Sequence, residues 1–154
     1  MWARLRRFSA LPRREKALFL QACALLPCVK LSLALRGFGP TRRFFLRTEQ
    51  ERKAGPDALL APVERAAAES ASRMVLAAVR NSVLRYSCLE RALTLSWLLA
   101  RQGIVSRLRI GVRKDGEKFE AHAWVECGGA VLAEPESAHL HYAAFAEEFS
   151  GLGS

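Results

Sequence analysis

Cys88 and His122 are the two residues of this 154-residue chain whose types and surroundings best suit nucleophilic chemistry. Cys88 stands at the predicted first turn of a helix, directly after Ser87, and Glu90 completes an S-x-x-E capping box. The positive end of a helix dipole and its unpaired N–H groups favour a thiolate over a thiol. A thiolate is the nucleophile of covalent catalysis, and the same N–H groups can hold an oxyanion. The alternative is that Cys88 is a small apolar packing residue.

His122 lies in the middle of EAHAWVE, where small or apolar residues alternate with larger polar ones as in a β-strand. A cysteine first and a histidine later, on separate elements, is the order expected of a thiol hydrolase. A third, acidic group should orient the imidazole. Hairpin geometry favours Glu134, which ends the following strand, and the other candidates are Glu120, Glu126 and Glu136. His122 can also be read as an ordinary core or surface histidine.

Helices are predicted for the first two thirds of the chain. The first covers residues 11–36, with Pro27 kinking it or starting a second helix; RGFGPTRR (36–43) then acts as a stop and TEQERKAGPDA (48–58) as a linker. The next helix runs from about Pro62 to Val83. Its apolar stripe, expected in the core, is Val63, Ala67, Met74, Ala78 and Val79. The Cys88 helix is apolar on nearly every side up to Gly103, which predicts a central position.

Strands are predicted after Gly103. The first contains Val105 to Val112, and KDGE (114–117) carries an Asp-Gly hairpin signal. The second contains His122, CGGA (127–130) is a turn, AVLAE is a third strand, and a short helix is possible at 143–149. Helices followed by an antiparallel sheet predict the α+β class. Residues 1–56 are predicted as a basic and apolar helical region and 57–154 as the catalytic domain, with the two able to pack as one unit.

Composition narrows the function. With 51% hydrophobic and 25% charged residues, the chain is expected to fold, and its net charge of +9 is concentrated in the first third, which predicts an acidic partner. No nucleic-acid motif is present, so no nucleic-acid partner is expected. Cys23 and Cys28 are predicted as core thiols, no Cys/His spacing fits zinc, and no metal or cofactor is expected. The cysteine usage favours a reducing cytoplasm.

The apolar run at residues 17–35 raises the question of a membrane. Gln21, Pro27 and Lys30 interrupt it, whereas a spanning helix needs about 20 mainly apolar residues. We therefore expect a buried or interfacial helix pair, with peripheral membrane contact as a less favoured alternative.

Three segments, in order and at family spacing, resemble the lasso-peptide biosynthesis B proteins, which are bacterial transglutaminase-like cysteine proteases. The segments are C-L-x-R-[SA]-L-x-L at 88–95, L-x-x-G-V-R-K at 108–114 and A-H-A-W-V-E at 121–126. The resemblance implies a transglutaminase-like or papain-like core, in which a central helix packs on an antiparallel sheet. It also implies an activity, removal of the leader peptide from a ribosomally made precursor before macrolactam closure.

The resemblance also implies roles for individual residues. Cys88 would be the nucleophile and His122 the general base and acid. The family usually has an aspartate twelve residues after the histidine, and Glu134 stands there in this chain. Arg91 and Trp124, within the matching segments, are expected to bind substrate or a partner, with Trp124 packing or lining a groove.

The partners implied are the precursor peptide, a small leader-binding protein of the RiPP recognition element type, and an ATP-dependent lasso cyclase. No strand-rich leader-binding domain is apparent, so we expect the stand-alone protease half of a split system. Arg42, Arg43 and Arg47 are expected to contact an acidic leader or a partner. Three alternatives stay open: an inactive transglutaminase-like scaffold that binds the precursor or partners, a basic protein that binds nucleic acid or membrane, and acyl transfer instead of hydrolysis.

Overall fold

Helices precede an antiparallel sheet in the computed structural model, which describes residues 9–50, 61–115, 118–132 and 143–144. Over these ranges the helices are α1 (Arg13–Arg36), α2 (Phe38–Gln50), α3 (Pro62–Asn81) and α4 (Cys88–Arg101). The strands are β1 (Arg107–Asp115), β2 (Lys118–Cys127), β3 (Ala130–Leu132) and β4 (Ala143–Ala144), in the sheet order β3-β2-β1-β4. The predicted α+β class is confirmed.

The first helix is confirmed nearly over its predicted length, whereas no separate helix was predicted at Phe38–Gln50. Helix α1 continues through Pro27 and ends at Gly37, whose φ of 73° lies in the left-handed region that glycine adopts readily. Helix α2 begins at the next residue, so the predicted stop at 36–43 is wrong beyond Gly37. Pro40 is tolerated because it lies in the first turn, where the backbone N–H has no helical acceptor. The predicted linker is helical at 48–50, and the rest of it lies outside the described residues.

Two predictions about buried residues are wrong. Val63 is 75% exposed, because the first turn of α3 projects beyond its neighbours. Cys23 and Cys28 are exposed. The buried side of α1 is the 18, 22, 26 and 29 series, and positions 23 and 28 fall outside that stripe.

Helix α4 lies at the centre of the fold, as predicted. It contacts all three other helices and both β1 and β2. Leu93, Leu95 and Leu99 are completely buried. A single core cluster joins α4 to α1, α3 and the sheet, so α1 shares one core with the region predicted as the catalytic domain. The boundary at 56–57 lies outside the described residues and stays a prediction.

A group of hydrogen bonds at the edge of the core holds α1 against α3. Glu15 accepts hydrogen bonds from Ser70 Oγ at 2.6 Å and from Arg73 Nη2 at 3.0 Å. These two donors, Ser70 first, lower the pKa of Glu15. The carboxylate therefore stays ionised and fixes the start of α1 on the core.

The sheet confirms the predicted alternation. Strands β1 and β2 pair antiparallel, with Gly111 opposite His122 and Arg109 opposite Trp124. The turn between β2 and β3 is formed by Gly128 and Gly129, both at positive φ. Residues 143–144 form β4 on the open edge of β1, so the short helix predicted at 143–149 is wrong at these two residues. An unpaired strand edge offers backbone donors and acceptors that such a segment can satisfy.

Candidate active site

The start of α4 is fixed by the predicted capping box. Ser87 Oγ accepts from the N–H of Glu90 at 3.3 Å, and Glu90 Oε2 accepts from the N–H of Ser87 at 2.7 Å. Cys88 is the first residue of this helix. The capping box fixes the backbone where the helix begins, and Cys88 therefore lies at the positive end of the helix dipole.

Lys30 of α1 supports the same helix start, a role that its place in the sequence did not predict. Its Nζ donates to Glu90 Oε1 at 3.3 Å and to the carbonyl of Arg85 at 2.9 Å. Glu90 is a buried carboxylate, so an opposite charge and hydrogen bonds are what make its burial tolerable. The signal in the sequence is a single charge inside an otherwise apolar run.

Cys88 is half-buried and borders a small, shallow depression between α4 and the sheet. The depression is lined by Cys88, Arg91 and Ala92 of α4, by Ala123, Trp124 and Val125 of β2, and by Leu132 of β3. Two of the predicted substrate-binding residues, Arg91 and Trp124, therefore lie beside the candidate nucleophile. Arg42 and Arg43 lie on α2 and are not part of this lining.

His122 is the first of several side chains on one face of the sheet that are linked by ring stacking and hydrogen bonds. Its ring stacks on the indole of Trp124, with centroids 6.1 Å apart and an interplanar angle of 22°. Trp124 Nε1 donates to Glu126 Oε1 at 3.0 Å, and Arg109 Nε donates to Glu126 Oε2 at 3.0 Å. Trp124 is only 2% exposed, so the plane against which the imidazole rests is held in place.

Cys88 and His122 share Trp124 as a neighbour. Strand alternation places His122 and Trp124 on one face of β2, while Ala123 and Val125 face α4. Within the described residues, Cys88 forms no hydrogen bond with His122. This alternation turns the His122 side chain away from α4, so contact with the Cys88 thiol requires a rearrangement of the strand or of the start of α4. The thiol–imidazole pair therefore stays a prediction.

The acidic candidates separate into two groups. Glu126 is occupied by Trp124 and Arg109, and Glu120 accepts from Arg113 Nη2 at 2.6 Å. The contacts of Glu126 include the buried Trp124, whereas the Arg113–Glu120 pair is largely exposed. Glu134 and Glu136 lie outside the described residues, so the orienting role of Glu134 stays a prediction.

Cys127 is a thiol in an apolar environment, unlike Cys88 at the start of a helix. It is buried at the end of β2, and its Sγ donates to the carbonyl of Val105 at 3.2 Å. Burial, with a smaller contribution from the charge of Glu64, raises the pKa of Cys127 to about 11. All four cysteines are free thiols, and the described residues contain no cluster of three or more metal-ligating side chains.

The fold and site define a class: an α+β domain that presents a cysteine at the start of its central helix, against a sheet that carries a histidine. Comparison with protein families gives the same result. Residues 25–147 match the transglutaminase-like superfamily, and this chain belongs to it. That fold is generally the scaffold of cysteine peptidases and transglutaminases. Comparisons with curated proteins and with solved structures found no match.

Proposed function

We propose that this protein is a cytoplasmic cysteine peptidase that removes the leader from a lasso precursor peptide before the macrolactam closes. One observation carries the proposal: Cys88 is the first residue of a capped helix and borders a depression on the strand that holds His122. Membership of the transglutaminase-like superfamily supports thiol chemistry at that place. The lasso assignment rests on the three matching segments.

The proposed reaction has two covalent steps. His122 takes the proton of the Cys88 thiol, and the thiolate attacks the scissile carbonyl. The backbone N–H groups at the start of α4 stabilise the resulting oxyanion. The imidazolium then gives its proton to the leaving amine, and a thioester remains on Cys88. Water, deprotonated by His122, hydrolyses the thioester and restores the thiol.

The shape of the site supports a polypeptide substrate that is held partly elsewhere. The depression beside Cys88 is shallow, and Arg91 is the one charged residue in the part of its lining that the structure describes. Such a surface gives little binding energy to a short segment of chain. We therefore propose that a small leader-binding protein supplies most of the affinity, with Arg42 and Arg43 contacting that partner or the leader. The released core peptide would pass to an ATP-dependent cyclase.

The proposal is tested by a reconstituted cleavage assay with a precursor peptide, the leader-binding protein and this chain, read by mass spectrometry. Wild type should release the leader, and Cys88→Ala should abolish release. Cys28→Ser is the matched control, because Cys28 is also a free cysteine but is exposed on α1. It should cleave at the wild-type rate.

The other outcomes separate the alternatives. If wild type and Cys88→Ala bind the precursor equally and neither cleaves it, the chain is a scaffold and the peptidase proposal is wrong. If an added amine is joined to the leader fragment in place of water, the same thioester serves acyl transfer.

A further inference from the structure

Helix α1 is apolar on two opposite sides, and only one of them is used by the core. The core side is Leu18, Ala22, Leu26 and Val29. The other side, here called the outer stripe, consists of Ala17, Leu20, Ala24, Cys28, Leu31 and Leu35, all of them exposed. Their spacing of three or four residues places them on one side of the helix over about 27 Å. The leucines Leu20, Leu31 and Leu35 are 58%, 60% and 75% exposed.

The charges around the outer stripe lie at its two ends. Lys30 is the one charged residue between positions 17 and 35, and it turns inward to Glu90. Arg13, one turn before Ala17, is exposed on the same side of the helix. Arg36, the last residue of the helix, is also exposed, but it lies about 100° around the helix from Leu35. The result is a long apolar band with Arg13 on it at one end and Arg36 beside it at the other.

We propose that the outer stripe rests on an anionic lipid bilayer, with α1 parallel to the membrane plane. Apolar residues then enter the acyl boundary while Arg13 and Arg36 reach anionic headgroups at either end. By length and composition α1 could also cross a membrane. Its core side is packed against α3 and α4, however, so a helix that stays in this fold can lie only on the surface.

Charge also argues against a second copy of this chain as the occupant. If two copies met along the outer stripe in parallel, Arg13 would face Arg13. In an antiparallel arrangement Arg13 would approach the helix end that carries Arg36. Either pairing brings like charges together between chains of net charge +9, whereas an anionic surface complements both ends at once. This inference is independent of the proposed peptidase activity.

The test is flotation of the full-length protein with vesicles of phosphatidylcholine alone or with added phosphatidylglycerol. Wild type should float with the anionic vesicles and be released by high salt. The double substitution Leu31→Gln and Leu35→Gln should weaken binding by at least about tenfold, because two leucines no longer enter the membrane. Val63→Gln is the matched control: Val63 is equally exposed, on α3, and its loss should leave binding unchanged.

Three results would overturn the proposal. Wild type that stays unbound with anionic vesicles removes it outright. Equal binding by wild type and the double variant removes the outer stripe as the contact. A wild-type dimer in light scattering that the double variant converts to monomer assigns the stripe to self-association. Since both leucines are exposed, the double variant should unfold at the same temperature as wild type. The salt dependence of wild-type binding is a further test that does not depend on the folding of any variant.

Discussion

The two faces of β2 are held by different forces. Ala123 and Val125 face the helices and are buried among aliphatic side chains. On the other face, His122 stacks on Trp124, whose indole is bonded to Glu126. Both Val125 and Trp124 are almost completely buried, so burial alone does not distinguish the faces. The difference is that one face is fixed by packing and the other by directional polar contacts.

This difference divides two tasks within one strand. Packing on the helices places β2 next to the start of α4, and it requires only apolar residues of suitable size. The orientation of the His122 ring also depends on the orientation of the Trp124 indole, because the two rings are stacked. The indole orientation is set by Glu126, which accepts one bond from Trp124 and one from Arg109. Substitutions on the two faces should therefore fail in different ways.

The largest effect should come from a charge on the packed face. Val125→Asp places a carboxylate where the side chain is 1% exposed, and it should lower the free energy of unfolding by about 3–5 kcal/mol. Urea unfolding followed by circular dichroism measures this loss. Phe119→Asp is the matched control, because Phe119 lies on the same strand and face but is 74% exposed. It should change stability by no more than about 0.5 kcal/mol. Equal losses would mean that the helices do not hold this face.

A smaller loss of stability, with a disproportionate loss of activity, should follow from Glu126→Ala. Removal of the carboxylate leaves the buried Trp124 N–H without its acceptor, which should cost about 1–3 kcal/mol. The rate of leader cleavage should also fall when the variant is fully folded, because the His122 ring loses its fixed support. This loss of activity is therefore more than the loss of stability alone would cause. Glu126→Gln retains an amide oxygen for Trp124 and should recover most of the activity.

The matched control for Glu126 is Glu120→Ala. The Arg113–Glu120 pair lies on the same face, but its side chains are 36% and 48% exposed. An exposed ion pair of this kind contributes about 0–1 kcal/mol, so the control should stay near wild type. If Glu126→Ala and Glu120→Ala lose activity equally, Glu126 has no special part in positioning His122.

Much of the packed face could be predicted from the sequence. The period of two in β2, the turn at the two glycines and the capping box of α4 are local patterns, and all three are confirmed. The apolar residues on nearly every side of α4 also predicted its central position correctly. These predictions succeed because neighbouring residues along the chain decide them.

The polar contacts that cross between elements could not be predicted in the same way. Lys30 reads in the sequence as an interruption of an apolar run, but it binds Glu90, sixty residues away. The core prediction for Cys23 and Cys28 is wrong because both stand in an apolar run, and such a run conceals which side of α1 faces inward. The Arg109–Glu126–Trp124 chain depends on the register between β1 and β2, whereas the Asp-Gly signal predicted only that the two strands form a hairpin.

The central claim is that the Cys88 thiol and the His122 imidazole act as a pair, and it can be tested without a substrate. The measurement is the rate of iodoacetamide labelling at each cysteine between pH 5 and 9, in wild type and in His122→Ala, read by mass spectrometry. Cys28 is the exposed reference, and Cys127, with its pKa raised to about 11, is the slow one. We expect Cys88 in wild type to react about tenfold faster than Cys28 at pH 6. His122→Ala should remove that advantage, whereas identical pH profiles for Cys88 in the two proteins would contradict the account.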